Sequence, residues 1–199
     1  DEGTAYATDP DLTAAGLETA VRAIAGDATA QVLDTYRGAY PAASPALVLA
    51  RITTDRGFYA NAVAQAERKA AQAAQGGAPV RMYLFTWASP AAPRWGAPHG
   101  IDVPLPFRNT GAPIVGDGPV ARRLAAEISS AFVHLAATGD PNGAGVPAWP
   151  AYEPAKRSTL VFGDTTTVQD DPLKVFRELW KSVAPAVSST AAGADTIGG

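Results

Sequence analysis

The segment Val80-Arg81-Met82-Tyr83-Leu84-Phe85-Thr86-Trp87-Ala88 constrains this chain more than any other feature. It is short, mostly apolar, rich in aromatic side chains and bounded by turn formers. A strand covered on both faces within a parallel sheet reads this way. Helical patterns precede it, which predicts an α/β layer fold. Such a strand needs neighbours on both edges, and a long apolar edge left open invites aggregation.

The helical patterns are local. Asp11 is placed to cap a helix carrying Leu12, Leu17, Val21 and Ile24 at near-helical spacing. Gly26-Asp27 punctuates it, and a second helix over 28–36 presents Val32, Leu33 and Tyr36. Ser44-Pro45 starts a third, and Gly57 is expected to break it from a fourth over 58–74. Residues 119–138 give the strongest helical pattern, with Val120, Leu124, Ile128, Phe132 and Leu135 on one face and Gly139 as the stop. Short strands over 159–162 and 166–169 follow, then a helix after Asp171-Pro172 carrying Leu173, Phe176, Leu179 and Trp180. Residues 1–187 are expected to form one folded unit, and the small, polar residues 188–199 a disordered tail.

Composition excludes several function classes. The chain has 199 residues, a net charge of -3 and no cysteine. Thiolate nucleophiles, disulfides and Cys-ligated metals are ruled out. The short runs Glu67-Arg68-Lys69 and Ala121-Arg122-Arg123 read as solvated helix faces, so no nucleic-acid partner is expected. No apolar run approaches the ~20 residues of a membrane span, and a soluble protein of unspecified compartment is expected. Two histidines, one in a loop and one in the long helix, do not make a metal ligand set. No glycine-rich phosphate loop is present, and no cofactor is expected.

The proline- and glycine-rich stretch 89–118 reads as a loop, and a loop this long within a domain is usually functional or disordered. It holds His99, between Gly96 and Gly100, with Asp102 close behind. Taken alone, His99 is consistent with a local hydrogen bond as well as with a cleft position. Glu2, at the start of the chain, reads alone as a solvated end. His134, within the long helix, reads as a packing or surface residue.

Together the motifs resemble the C-terminal part of a type-B carboxylesterase, the α/β-hydrolase family that includes the cholinesterases. The similarity lies in Asp1-Glu2-Gly3-Thr4, Asp55-Arg56-Gly57-Phe58, Ala64-Gln65-Ala66-Glu67 and Tyr83-Leu84-Phe85. It continues through Gly96-Ala97-Pro98-His99-Gly100-Ile101-Asp102, Thr138-Gly139-Asp140-Pro141-Asn142 and Trp149-Pro150-Ala151-Tyr152. The order and spacing of these pieces carry the resemblance more than any single one.

The resemblance implies carboxylic ester hydrolysis through a Ser-His-Glu triad and an acyl-enzyme, with Glu2 as the acid and His99 as the base. Asp102 is then a group supporting the His loop or, equally, a solvent-facing carboxylate. Trp95, Leu105 and Phe107 are candidates for one wall of a substrate pocket or for packing of that loop. Family order puts the serine upstream of the acid in a Gly-x-Ser-x-Gly elbow, and none of the serines here has that setting. The implied partners are a small-molecule ester and the N-terminal part of the same enzyme, which would hold the serine and the oxyanion hole. The isolated chain is expected to be inactive. The alternative is a non-catalytic adhesion or interaction protein of the same fold, or an inactive fragment; retention of Glu2 and His99 favours the enzyme.

Overall fold

The structure is a computed structural model and describes residues 2–6, 9–143 and 145–183. Six α-helices are described: α1 (Ala14–Ala25), α2 (Thr29–Ala39), α3 (Pro45–Thr53), α4 (Ala60–Ala73), α5 (Pro119–Thr138) and α6 (Lys174–Ser182). Three strands, β1 (Met82–Phe85), β2 (Ser158–Phe162) and β3 (Thr167–Asp170), form one sheet in that order. β1 runs parallel to β2 with Met82 opposite Thr159, and β3 returns antiparallel with Val168 opposite Leu160.

The strand buried throughout is β2, not β1 as its sequence suggests. β2 has a neighbour on each edge. β1 pairs on one side only among the described residues, and its Tyr83 stays 39% exposed. β1 is also shorter than the apolar segment from which it was predicted.

One sheet face packs on α5: Leu124, Ala125 and Ile128 meet Trp87, Leu160 and Phe162. Met82 joins a second cluster with Tyr59, Val63, Ala66 and Tyr152. A third core joins α1, α2, α3 and α6 through Leu17, Val21, Val32, Leu33, Tyr36, Val48, Ile52, Phe176 and Leu179. Phe132 and Leu135, expected on the inner face of α5, are 44% and 45% exposed. Ala121, Ser129 and Ala131 are buried on α5, so small residues let the helix approach the sheet closely.

Two helix boundaries differ from their signals. Thr13, rather than Asp11, caps α1, its hydroxyl accepting from Gly16 N–H at 3.1 Å. Gly57 does not break the chain between α3 and α4; a single π-helical turn, Thr54–Tyr59, carries the helix through. The extra residue of a π-turn is a recurrent feature of functional sites. Gly139 ends α5 in the left-handed region at φ 80°, as expected of a C-terminal glycine.

The Thr-Gly-Asp-Pro-Asn and Trp-Pro motifs meet in space. Asn142 donates to the Trp149 carbonyl at 3.0 Å and accepts from its N–H at 2.7 Å. The Trp149 indole N–H then donates to the Met82 carbonyl at 3.1 Å. The turn after α5 is thereby fastened to β1. The tail expected from residue 188 lies outside the described residues.

Candidate active site

Glu2 opens a 3-10 turn, Glu2–Tyr6, that lies directly on α3. The approach is closer than any side chain allows: a Cβ on Gly3 would sit 2.0 Å from the Ala50 carbonyl oxygen and 2.1 Å from Thr53 Oγ1. The Gly3 N–H donates to Thr54 Oγ1 at 2.7 Å, and that hydroxyl donates to the Ala50 carbonyl at 2.7 Å. The glycine of Asp-Glu-Gly-Thr therefore sets where the acid stands.

His99 arrives from the other side, in the loop between β1 and α5. Gly100, at φ 79°, takes a backbone conformation that residues with a Cβ rarely adopt. The long loop is ordered from within. Ser89 is buried, donates to the Val115 carbonyl at 3.1 Å and accepts from Ala91 N–H at 3.0 Å. Ile101 and Val115 anchor it in the core.

Two contacts bring the turn and the loop together. His99 Nδ1 pairs with Glu2 Oε2, and His99 N–H donates to Thr4 Oγ1 at 2.8 Å. The paired side chains remain 53% and 38% exposed. Nε2 of His99 makes no hydrogen bond among the described residues. With Nδ1–H donated to a carboxylate, the Nε2 lone pair of the neutral ring is free to accept a proton, and the carboxylate then stabilises the imidazolium.

Asp102 touches neither member of the pair through a hydrogen bond among the described residues. It accepts from the Tyr83 hydroxyl at 3.1 Å, tying the His loop to β1. Burial pushes the Tyr83 phenol up to about 12, with the Asp102 charge and hydrogen bond and the Glu2 charge adding to it.

The three pocket candidates part company. Leu105 is wholly buried in the α5 core and lines no open surface. Of the two alternatives for Leu105, pocket wall or packing, its place is packing: the 3-10 turn Leu105–Phe107 points Leu105 inward while Phe107 stands 82% exposed. Trp95 lines a surface groove of about 310 Å³ with Pro10, Asp11, Ser44, Leu47 and Arg94.

Sequence reasoning missed a buried polar chain beneath the acid. The Trp180 indole N–H donates to the Tyr36 hydroxyl at 2.9 Å, and that hydroxyl donates to Asp55 Oδ2 at 2.7 Å. Asp55 belongs to the π-turn whose Thr54 holds Gly3. Burial pushes its carboxyl up to about 6, offset in part by the Tyr36 hydrogen bond and the Arg51 charge. The Asp-x-x-Phe motif was the only signal available for it. His134 holds the end of α5, its Nδ1 lying 2.5 Å from the Asp140 carbonyl. Among the described residues no group of three His, Cys, Asp or Glu side chains could hold a metal ion. None of the described helices is long and apolar enough to cross a membrane.

No family model matches the sequence. The chain is 31% identical over 175 residues to phenmedipham hydrolase of Pseudarthrobacter oxydans, an alignment covering 82% of this chain and 34% of that protein. It is 32% identical over 123 residues to para-nitrobenzyl esterase of Bacillus subtilis, covering 60% of this chain and 24% of the relative. Among solved structures, a carboxylesterase of Geobacillus stearothermophilus superposes with a TM-score of 0.69 at 34% identity, covering 87% of this chain and 36% of that one. The chain thus spans about a third, or less, of the length of these proteins. By similarity in sequence and in backbone together, the chain belongs to the type-B carboxylesterase family of α/β-hydrolases.

Proposed function

We propose that this chain supplies the acid, Glu2, and the base, His99, of a carboxylic ester hydrolase. The nucleophilic serine and the oxyanion hole belong to polypeptide outside these residues, N-terminal to Glu2 in the complete enzyme. The observation that carries the reading is the pairing of His99 Nδ1 with Glu2 Oε2 by two residues 97 positions apart. A half-exposed histidine does not need such a partner for folding, whereas a general base needs its tautomer fixed. The edge of β1 left unpaired among the described residues and the share of the relatives' length without a counterpart support the second half of the proposal.

In the reaction, His99 Nε2 takes the proton of the serine hydroxyl as its oxygen attacks the ester carbonyl. The tetrahedral intermediate collapses, and the alcohol leaves with the proton held on Nε2. Water then attacks the acyl-enzyme, giving its proton to Nε2, which returns it to the serine as the acid is released. Glu2 holds the ring and stabilises each imidazolium state. Asp102 supports the His loop through Tyr83. Short-acyl or aromatic esters are the proposed substrate class, and the two relatives named above as a hydrolase and a para-nitrobenzyl esterase are in keeping with it.

The test is hydrolysis of a chromogenic short-chain ester by the complete enzyme, by its His99→Ala and Glu2→Gln variants, and by this chain alone. Loss of His99 is expected to lower kcat by on the order of 10⁴ to 10⁶, Glu2→Gln by somewhat less, and the chain alone should show no turnover. Near-parental activity in His99→Ala would overturn the reading.

A further inference from the structure

We propose that Thr4 is a positioning residue for His99, an inference that rests on the reading of Glu2 and His99 as acid and base. Among the described residues, two side chains reach His99 by hydrogen bonds, and both come from the same turn. Glu2 holds the ring at Nδ1, and Thr4 Oγ1 accepts from the backbone N–H at 2.8 Å.

The geometry explains why one contact is not enough. A carboxylate on Nδ1 fixes one atom of the ring, and the ring can still swing about that atom as the loop drifts. Tying the backbone N–H of the same residue to the same turn removes that freedom. Ring and backbone are then both referenced to Glu2-Gly3-Thr4. The turn itself is seated on α3 through the Gly3 N–H bond to Thr54, at 2.7 Å, and through the absent side chain of Gly3. Nε2 is therefore located relative to a helix rather than to a loop, which is how a catalytic group keeps its geometry.

The loop's other attachments do not do this. Asp102 lies three residues further on and reaches β1 through Tyr83. Ile101 packs in the core and its N–H donates to the Pro98 carbonyl at 3.2 Å, which shapes the turn carrying His99 but does not tie it to the Glu2 turn. As a contribution to stability the Thr4 bond is small, because it lies in an exposed setting where water can satisfy the N–H instead. Its effect is on position, and a misplacement of about 1 Å costs on the order of 10²-fold in rate.

The experiment compares Thr4→Val, Thr4→Ser and His99→Ala in the complete enzyme. Valine keeps the shape and removes the acceptor; serine keeps the acceptor and removes the methyl. Thr4→Val is expected to lower kcat about tenfold, with KM and the urea midpoint close to parental. The rate of covalent labelling by an organophosphate should fall by a similar factor, because it reads nucleophile activation without turnover. Thr4→Ser should keep parental kcat and labelling. A Thr4→Val enzyme with parental kcat, or a Thr4→Ser enzyme as slow as Thr4→Val, overturns the proposal. Should Thr4→Val fail to fold, Thr4→Ala against Thr4→Ser makes the same comparison, with only alanine expected to lose rate. His99→Ala separates the two readings. If it is inactive while Thr4→Val is parental, only the role of Thr4 falls; if it is active, both fall.

Discussion

Gly3→Ala is the substitution that most directly tests how the acid is placed. The added Cβ would lie 2.0 Å from the Ala50 carbonyl oxygen and 2.1 Å from Thr53 Oγ1. Real Cβ atoms essentially never approach closer than 3.0 Å, so the turn must retreat by about 1 Å or more. Neither neighbour can yield easily. The Ala50 oxygen is a helix carbonyl that already accepts from the Thr53 and Thr54 hydroxyls, at 2.9 and 2.7 Å. A retreat of that size takes the Gly3 N–H bond to Thr54 from 2.7 Å beyond hydrogen-bonding reach. It also moves Glu2 and Thr4 together relative to α3. The overlap should cost about 1–3 kcal/mol of stability. The displaced acid should cost on the order of 10²-fold in kcat. Ester hydrolysis by the complete enzyme, with the urea midpoint measured in parallel at a temperature where the variant is folded, reads both. Folded Gly3→Ala with kcat within threefold of parental would refute the claim that α3 sets the position of the acid.

Two further outcomes follow from the groups around the site. Asp55 is 7% exposed and its carboxyl is raised from 3.8 to about 6, so the folded state holds this proton more tightly than the unfolded chain does. The group therefore favours folding below about pH 4, and this advantage, about 3 kcal/mol at most, is lost as pH rises through about 6. Asp55→Asn keeps an acceptor for Tyr36 and cannot ionise, so its stability relative to the parent should improve between pH 4 and pH 7 by up to that amount; a pH-independent difference in urea midpoints would count against a buried ionising Asp55. Tyr83→Phe removes the bond to Asp102 at 3.1 Å and should slow ester hydrolysis by a few-fold, with under about 1 kcal/mol lost from stability. Parental kcat in both Tyr83→Phe and Asp102→Asn would return Asp102 to a plain solvated carboxylate.

Signals set by the local chain were legible in the sequence. Pro119 and Gly139 bound α5 where the pattern predicted, and Ser44 caps α3. Signals that depend on what lies across the fold were not. The apolar residues of β1 announce a covered strand, but which of two strands is central depends on pairing order, and β2 takes that place. Phe132 and Leu135 continue the helical stripe of α5, yet neither joins the cluster that packs on the sheet and both stay exposed. Arg123 reads as one of a solvated pair. In the structure it bonds Glu127 and Thr166 on one side and the Gly163 and Asp164 carbonyls on the other, joining α5 to the turn between β2 and β3. Gly57 marks an irregularity that was read as a break, although a π-turn absorbs it without interrupting the helix.

For the candidate site the division is similar. The motifs pointed to Glu2 and His99, and the structure pairs them. What holds the pair is invisible to spacing: Gly3 matters through a contact with Ala50, and Thr4 through the backbone of His99. Leu105 and Phe107 looked equivalent because a sequence does not show which way a 3-10 turn faces.

The proposed site and the edge of β1 left unpaired among the described residues lie close together in the fold. β1 carries Tyr83, Tyr83 holds Asp102, and Asp102 follows His99 in the same short loop segment. A strand that paired with that edge would lie beside β1 and hence near Tyr83, which anchors the His loop through Asp102. Parallel sheets take their ligands at the carboxyl ends of their strands, and β1 leads into the His99 loop from that end. On the proposed reading, polypeptide outside these residues would both pair with that edge and supply the serine.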